Sequence, residues 1–271
     1  MSFLHNENAD IDFTFGIITS ADEHAMHRVG EIINSVDRQK MPKNQIIIVG
    51  GTGLYSEQAL ANINTDPNFS VEYIPFDETV KKAWITKKKN LITKHAKYEN
   101  IVYMHDYLYF HDGWYKNFVD FGTDWDLCMN AIVNTNDKRY RDWVTWDHPN
   151  IDPRTRQVIK HKVQWTQTEP WCPDGRVWEG GGTLMPYDYI GNHMYISGTY
   201  WVAKKHVMEA EPLNEDLCHS DAEDVEWSLR VRDKYKYVMN ENSMVKLLNF
   251  KPLDATSPTD LPLGINPSVL S

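Results

Sequence analysis

The sequence predicts an α/β domain with a mostly parallel sheet flanked by helices. Three observations carry this prediction. Short β-branched runs alternate with stretches of helical periodicity through the first half of the chain. Several of those runs are apolar throughout rather than alternating, as strands buried on both faces are. Each run also ends in small or acidic residues, where a crossover must begin.

The elements follow in order. FTFGIIT, residues 13–19, is the first strand. Residues 22–39 form an amphipathic helix with Met26, Val29, Ile32, Ile33 and Val36 on one face. NQIIIVGG, residues 44–51, is a second strand ending in glycines, and SVEYIPF, residues 70–76, is a third. Residues 81–97 read as a helix and IVYMHDY, residues 101–107, as the fourth strand. GWYKNFVDFG is a helix leading to the strand DLCMNAIV. Between residues 134 and 189 the chain is rich in Trp, Pro, Asp and Gly with little periodicity, which predicts a functional loop system. A strand is expected over residues 194–205, an acidic-fronted helix within 217–235, and two short strands within 237–250. Without an internal repeat or a clear linker, one domain is expected over 1–271. It would divide into a ligand-binding half (13–133), a loop-rich half (134–250) and a Pro-rich tail (251–271).

Composition narrows the partners. A chain of 271 residues with 41% hydrophobic and 24% charged residues can bury a full core. A net charge of −10 disfavours nucleic acid, whose phosphates call for a basic face. It is compatible with a small anionic ligand. Ten Trp exceed ordinary core needs and suit a sugar or base site, although packing accounts for many of them. Cys128, Cys172 and Cys218 are sparse and form no CxxC pair, so neither a disulfide framework nor a zinc site is expected. No signal pattern and no membrane-length apolar run is visible, and a cytoplasmic protein is expected.

The chemistry centres on Asp106, a carboxylate at the mouth of an apolar strand. Such a charge needs a partner or a metal, unless the strand ends at Met104 and leaves it in solvent. Thr19-Ser20-Ala21, Gly50-Gly51, Phe76-Asp77 and His105-Asp106 all fall at carboxyl ends of strands, where open α/β sheets bind ligands. Asp112 reads as a cap of the following helix. In the lysine run, Lys87 and Lys88 read as solvated, and Asn90 is the more specific residue because a mid-helix Asn has low propensity. Glu223, Asp224 and Glu226 crowd one helix start, where carboxylates also serve the helix dipole.

The ordered set IITSA, IIIVGG, KKKN, YMHDY, ISGTYWV and EDVEW resembles the GT-A glycosyltransferases, in particular the family-2-like inverting group. The match runs over roughly residues 13 to 240. The resemblance implies a Rossmann-like GT-A fold and transfer of a hexose, of glucose or galactose type, from a UDP-sugar to a hydroxyl acceptor such as a saccharide. It makes Asp106 the ligand of a divalent metal, Mn²⁺ or Mg²⁺, and Asp224 the general base, with Glu223 orienting a hydroxyl. It implies that Thr19, Ser20, Ala21, Gly50, Asp77, Lys89, Asn90, His105, Gly198 and Thr199 contact the nucleotide-sugar. Trp178 and Gly182 belong to a loop that closes over the donor, or that is merely pinned by a buried Trp. The chain departs from the family pattern in three ways. DxD reads His105-Asp106-Tyr107, the second strand ends in glycines rather than acids, and no histidine follows the EDVE segment. His193 and His219 are the candidate substitutes as metal ligands. Two other readings compete: a nucleotidyltransferase, opposed by the acidic turn after the first strand, and a non-catalytic nucleotide- or carbohydrate-binding module on the same fold.

Overall fold

The computed structural model describes residues 10–20, 22–53, 69–152, 183–219 and 221–251. Its centre is an eight-stranded sheet in the order β3-β2-β1-β4-β9-β6-β10-β5. The strands are β1 (Phe13–Ile18), β2 (Asn44–Gly51), β3 (Phe69–Phe76), β4 (Asn100–His105), β5 (Leu108–Phe110), β6 (Leu127–Val133), β9 (Tyr200–Lys204) and β10 (Tyr237–Leu247). A separate hairpin pairs β7 (Val144–Thr145) with β8 (Thr183–Leu184). β3, β2, β1 and β4 are mutually parallel, as their apolar runs predict. β9 inserts antiparallel between β4 and β6, and β10 runs parallel to β6.

Five helices are described: α1 (Ala25–Arg38), α2 (Ile85–His95), α3 (Trp114–Phe121), α4 (Lys205–Ala210) and α5 (Glu223–Val231). The strand period of two sorts the core into two layers. Phe13 and Phe15 point to one face, where their rings meet Trp114, Phe118 and Phe110 at centroid distances of 5.0–5.6 Å. Gly16 faces the other side, and a Cβ there would lie 2.3 Å from Ile92, so α2 sits directly on β1. On that same face Tyr103 stacks on Trp201 at 4.8 Å, and Trp201 meets Trp227 of α5 at 6.2 Å.

Several elements differ from the sequence reading. The expected strand over 194–205 is ordered as β9 only from Tyr200, because Gly198 and Thr199 turn the chain into it. The two short strands expected within 237–250 are one strand, β10, with a register shift between Asn240 and Val245. Asn240 and Ser243 close that bulge by hydrogen bonds to each other. Met26 is half exposed, outside the buried stripe of Val29, Ile32, Ile33 and Val36. Asp112 does not cap α3. Gly113 in a left-handed conformation is the cap residue, and Asp112 is solvent-facing with Arg38 3.8 Å away.

Candidate active site at the carboxyl edge of the sheet

The register between β1 and β4 pairs Ile18 with His105, which sets Thr19 and Asp106 side by side beyond the strands. β9 runs the opposite way, so its leading residues arrive at the same edge, and the His105 amide donates to the Thr199 carbonyl at 3.2 Å. Gly198 follows in the same corner. Three segments distant in sequence therefore meet where an open α/β sheet binds ligands.

A cavity of about 540 Å³ opens there, of a size suited to a small ligand. Its walls include Thr19, Ser20, Glu78, Lys88, His105, Asp106, Tyr107, His219 and Lys251. The Asp106 carboxylate is nearly buried, and a cation compensates it. Arg28 of α1 donates to Oδ2 through Nη2 at 2.6 Å and Nε at 3.1 Å, and the Thr19 hydroxyl donates to the same oxygen at 2.6 Å. Arg28 also holds both oxygens of Asp22, at 2.9 and 2.6 Å, which keeps the Asp22 carboxyl well below the usual range. Arg28 was not singled out from sequence; its position one turn into an amphipathic helix gave no signal of a partner 78 residues away.

Lys88 corrects the expectation of a solvated run. It is buried, its ammonium donates to the Thr19 carbonyl at 2.8 Å, and it pairs with Glu78. Lys251 lies with its ammonium 3.1 Å from the centroid of the Tyr107 ring. Its main chain is fixed by Asn134, whose side chain donates to the Lys251 carbonyl at 2.6 Å. Burial lowers the Lys251 ammonium to about 8. His105 stacks on Tyr107 at 5.1 Å and faces His219 at 6.2 Å. Burial first, and the nearby lysines second, push its pKa well down, so the imidazole is neutral at pH 7.

The acidic start of α5 lies beside Gly198. The Gly198 amide donates to Asp224 Oδ2 at 2.8 Å, and the Val225 amide donates to Oδ1 at 2.9 Å. A Cβ on Gly198 would stand 2.9 Å from Asp224 Oδ2 and 3.1 Å from Glu223 Oε1, so this corner requires glycine. Glu223 is buried, and its carboxyl is pushed up to about 7 by desolvation and by the Asp224 charge. Lys89 opposes that rise. Its ammonium lies fully buried 3.7 Å from Glu223, donates to the Gly198 carbonyl at 3.0 Å and sits 4.5 Å from the Trp201 ring. Desolvation lowers the Lys89 pKa. Glu226 turns away into a 2.6 Å pair with Arg230, and Trp227 packs behind the corner as expected.

The remaining predicted residues fall in different places. Gly50 supports the site indirectly, since a Cβ there would meet Thr19 Cγ2 at 2.4 Å. Ser20 bonds to Asp22 at 2.6 Å on the rim, and Thr199 accepts or donates with the Tyr107 hydroxyl at 3.2 Å. Asp77 is off the cavity wall. It faces solvent and accepts from the Thr79 amide and hydroxyl, which lowers its pKa, while its neighbour Glu78 takes the wall position. Asn90 is also elsewhere. Its side chain donates to the Leu213 carbonyl at 2.9 Å and to Glu215 at 3.0 Å, and accepts from the Leu213 amide at 3.0 Å. His193 lies 3.6 Å from Asp147, away from the cavity. Ala21, Trp178 and Gly182 lie outside the described residues.

The surroundings of Asp106 disfavour a divalent cation, because one oxygen of each wall carboxylate, Asp106 Oδ2 and Glu78 Oε1, already pairs with a basic side chain. Among the described residues no three His, Cys, Asp or Glu side chains come together as a metal shell.

No family model matches the chain, and no curated protein matches it in sequence. Solved structures do resemble it. S. aureus TarS 1-349 superimposes with a TM-score of 0.54 at 13% identity, covering 88% of this chain and 60% of that one. TarS 1-349 in complex with UDP gives 0.50 at 14% identity, covering 88% and 58%. The longer S. aureus TarS structure gives 0.51 at 13%, with 36% of its length covered. The chain thus spans less than two thirds of each of these structures. At this identity the likeness establishes the fold alone, a mostly parallel eight-stranded α/β sheet flanked by helices.

Proposed function

We propose that the chain is an inverting glycosyltransferase that moves a hexose, of glucose or galactose type, from a UDP-sugar to an acceptor hydroxyl. The observation that carries this reading is the junction of two unlike features at one sheet edge. A cavity whose wall includes Lys82, Lys88 and Lys251 opens at the ends of β1 and β4, and a carboxylate pair, Glu223 and Asp224, lies against Gly198, next to the Thr199 carbonyl that accepts from His105 of that wall. Nucleotide-sugar transfer needs both, one to hold the phosphates and one to accept a proton. The UDP bound in one of the structurally similar proteins agrees with the choice of nucleotide.

The reaction is a single displacement. Asp224, the less buried of the pair, takes the proton of the acceptor hydroxyl as that oxygen bonds to the anomeric carbon. The bond from the anomeric carbon to the β-phosphate oxygen breaks, and its electron pair leaves with UDP. Glu223, held by Lys89, orients a hydroxyl and keeps Asp224 in register with Gly198. Neutral His105 offers a hydrogen bond on the cavity wall without adding charge. Among the described residues no helix is long and apolar enough to cross a membrane, so the reading includes no span.

One observation favours a second reading, a non-catalytic nucleotide-binding module. Both Asp224 oxygens accept backbone amides, a structural role that needs no chemistry. The two readings separate on one substitution. UDP-sugars supplied to the full chain, with release of UDP measured, should show turnover that falls about 10²- to 10⁴-fold in Asp224→Asn while UDP binding is kept. Turnover that survives Asp224→Asn removes the base assignment, and absence of any turnover with bound UDP favours the module.

A further inference from the structure

The mismatch between the donor set and a metal has a positive counterpart on the same walls. We propose that the diphosphate of the bound nucleotide is neutralised by a side-chain cation, Lys251, so that donor binding requires no divalent metal. This rests on the nucleotide-sugar reading of the cavity.

Asp106 is the carboxylate at the strand end, and its Oδ2 is taken by the 2.6 Å Arg28 pair and the 2.6 Å Thr19 hydrogen bond. A metal at its other oxygen would stand beside the Arg28 guanidinium, whose charge opposes a second cation there. Glu78 is committed to Lys88 in the same way. Lys88 is committed in turn, to Glu78 and to the Thr19 carbonyl at the turn after β1, so its charge is already offset at the cavity wall. Lys251 approaches from the opposite end of the chain, its backbone clamped to Asn134 on both its amide and its carbonyl. No carboxylate among the described residues pairs with it, and its ammonium rests on the Tyr107 face, which forms part of the same wall. A half-buried ammonium with an aromatic partner, with the Asp106 charge near it but no carboxylate among the described residues in ion-pair contact, is a site for an anion. A diphosphate that reaches Tyr107 meets that cation, and when the bond from the anomeric carbon to the diphosphate breaks, a fixed cation there stabilises the charge that develops on the leaving group.

The test is calorimetric titration of UDP into the full chain, once with EDTA and once with Mn²⁺, repeated for Lys251→Gln and Lys251→Arg. The proposal expects equal affinity in EDTA and Mn²⁺. It expects a loss of about tenfold or more in Lys251→Gln, as for a lost charged hydrogen bond, and retention within about threefold in Lys251→Arg. The arginine variant guards against a folding defect, because it keeps the charge and the stacking on Tyr107. Binding that appears only with Mn²⁺ overturns the proposal and leaves the UDP-sugar reading intact. Metal-independent binding that ignores Lys251→Gln overturns the role of Lys251. Absence of UDP binding under both conditions overturns this proposal together with the reading beneath it.

Discussion

Asp106 illustrates how one buried charge organises its surroundings. Its carboxylate is almost inaccessible, and Arg28 is the cation that makes this tolerable. Removing Arg28 while Asp106 remains leaves that charge uncompensated. Arg28→Ala is expected to cost about 2–4 kcal/mol, the lower part of the buried-pair range because the guanidinium keeps some water contact. Denaturant unfolding measures it. The double variant with Asp106→Ala should recover part of the loss in a mutant cycle, and strict additivity would deny that the two groups are coupled. Glu223 leads to a pH prediction. Its carboxyl stands at about 7 in the folded chain against 4.5 for an unburied glutamate. Between those values the folded state holds a proton that the unfolded chain has released, so stability falls as pH rises through that window. Burial of the ionised form is the cause, and the Asp224 charge adds to it. Glu223→Gln cannot ionise and should flatten the slope from about pH 4.5 to about pH 7 in thermal unfolding. An unchanged slope would mean that Glu223 is not the group responsible.

At the scale of elements, α2 carries two jobs on two faces. Lys88 and Lys89 reach the sheet edge, while Thr86, Lys87 and Asn90, together with Lys81 and Trp84 just before the helix, hold the segment from Leu213 to Leu217. That segment leads into α5, so the clamp fixes where Glu223 and Asp224 begin. Asn90 was legible as a special residue, since an amide in mid-helix has low propensity, but its partner was misjudged. Its side chain satisfies the amide and carbonyl of buried Leu213 rather than a nucleotide, and nothing in a single sequence distinguishes those partners. The two accounts differ in outcome. Asn90→Ala should destabilise the fold by about 1–3 kcal/mol through lost and orphaned hydrogen bonds, with UDP affinity nearly unchanged. A stable Asn90→Ala protein that binds UDP poorly would restore the nucleotide contact. Lys88 was misread for a related reason. A run of lysines reads as solvent-facing, yet helical rotation at 100° per residue turns Lys88 and Lys89 inward and leaves Lys87 outside.

For the whole molecule, the sequence disclosed the parallel half almost completely. Continuous apolar runs such as Ile46, Ile47 and Ile48 are visible because burial on both faces leaves no room for alternation. The antiparallel insertion of β9 was not legible, nor was the single long β10. Both depend on pairing between segments about 100 residues apart, and a bulge inside Asn240–Val245 breaks the local pattern. Lys251 was assigned to a surface tail because it precedes a Pro-rich stretch, and only the fold returns it to Tyr107. This long-range closure has a thermodynamic consequence. The cavity joins the turn after β1, the helix α2, the end of β4 and the chain beyond β10, so a ligand there bridges the first and last described segments. A nucleotide that binds only this assembled edge stabilises the folded state by about 2.7 kcal/mol at a hundredfold excess over its Kd. UDP should therefore raise the midpoint of a single cooperative thermal transition by several degrees, and uridine, which lacks the phosphates, should do much less. If uridine matched UDP, the cations at the edge would not be what holds the ligand. If neither nucleotide nor nucleoside moved the midpoint at millimolar concentration, the cavity would not be a uridine nucleotide site, and the reading of Glu223 and Asp224 as transferase residues would lose its donor.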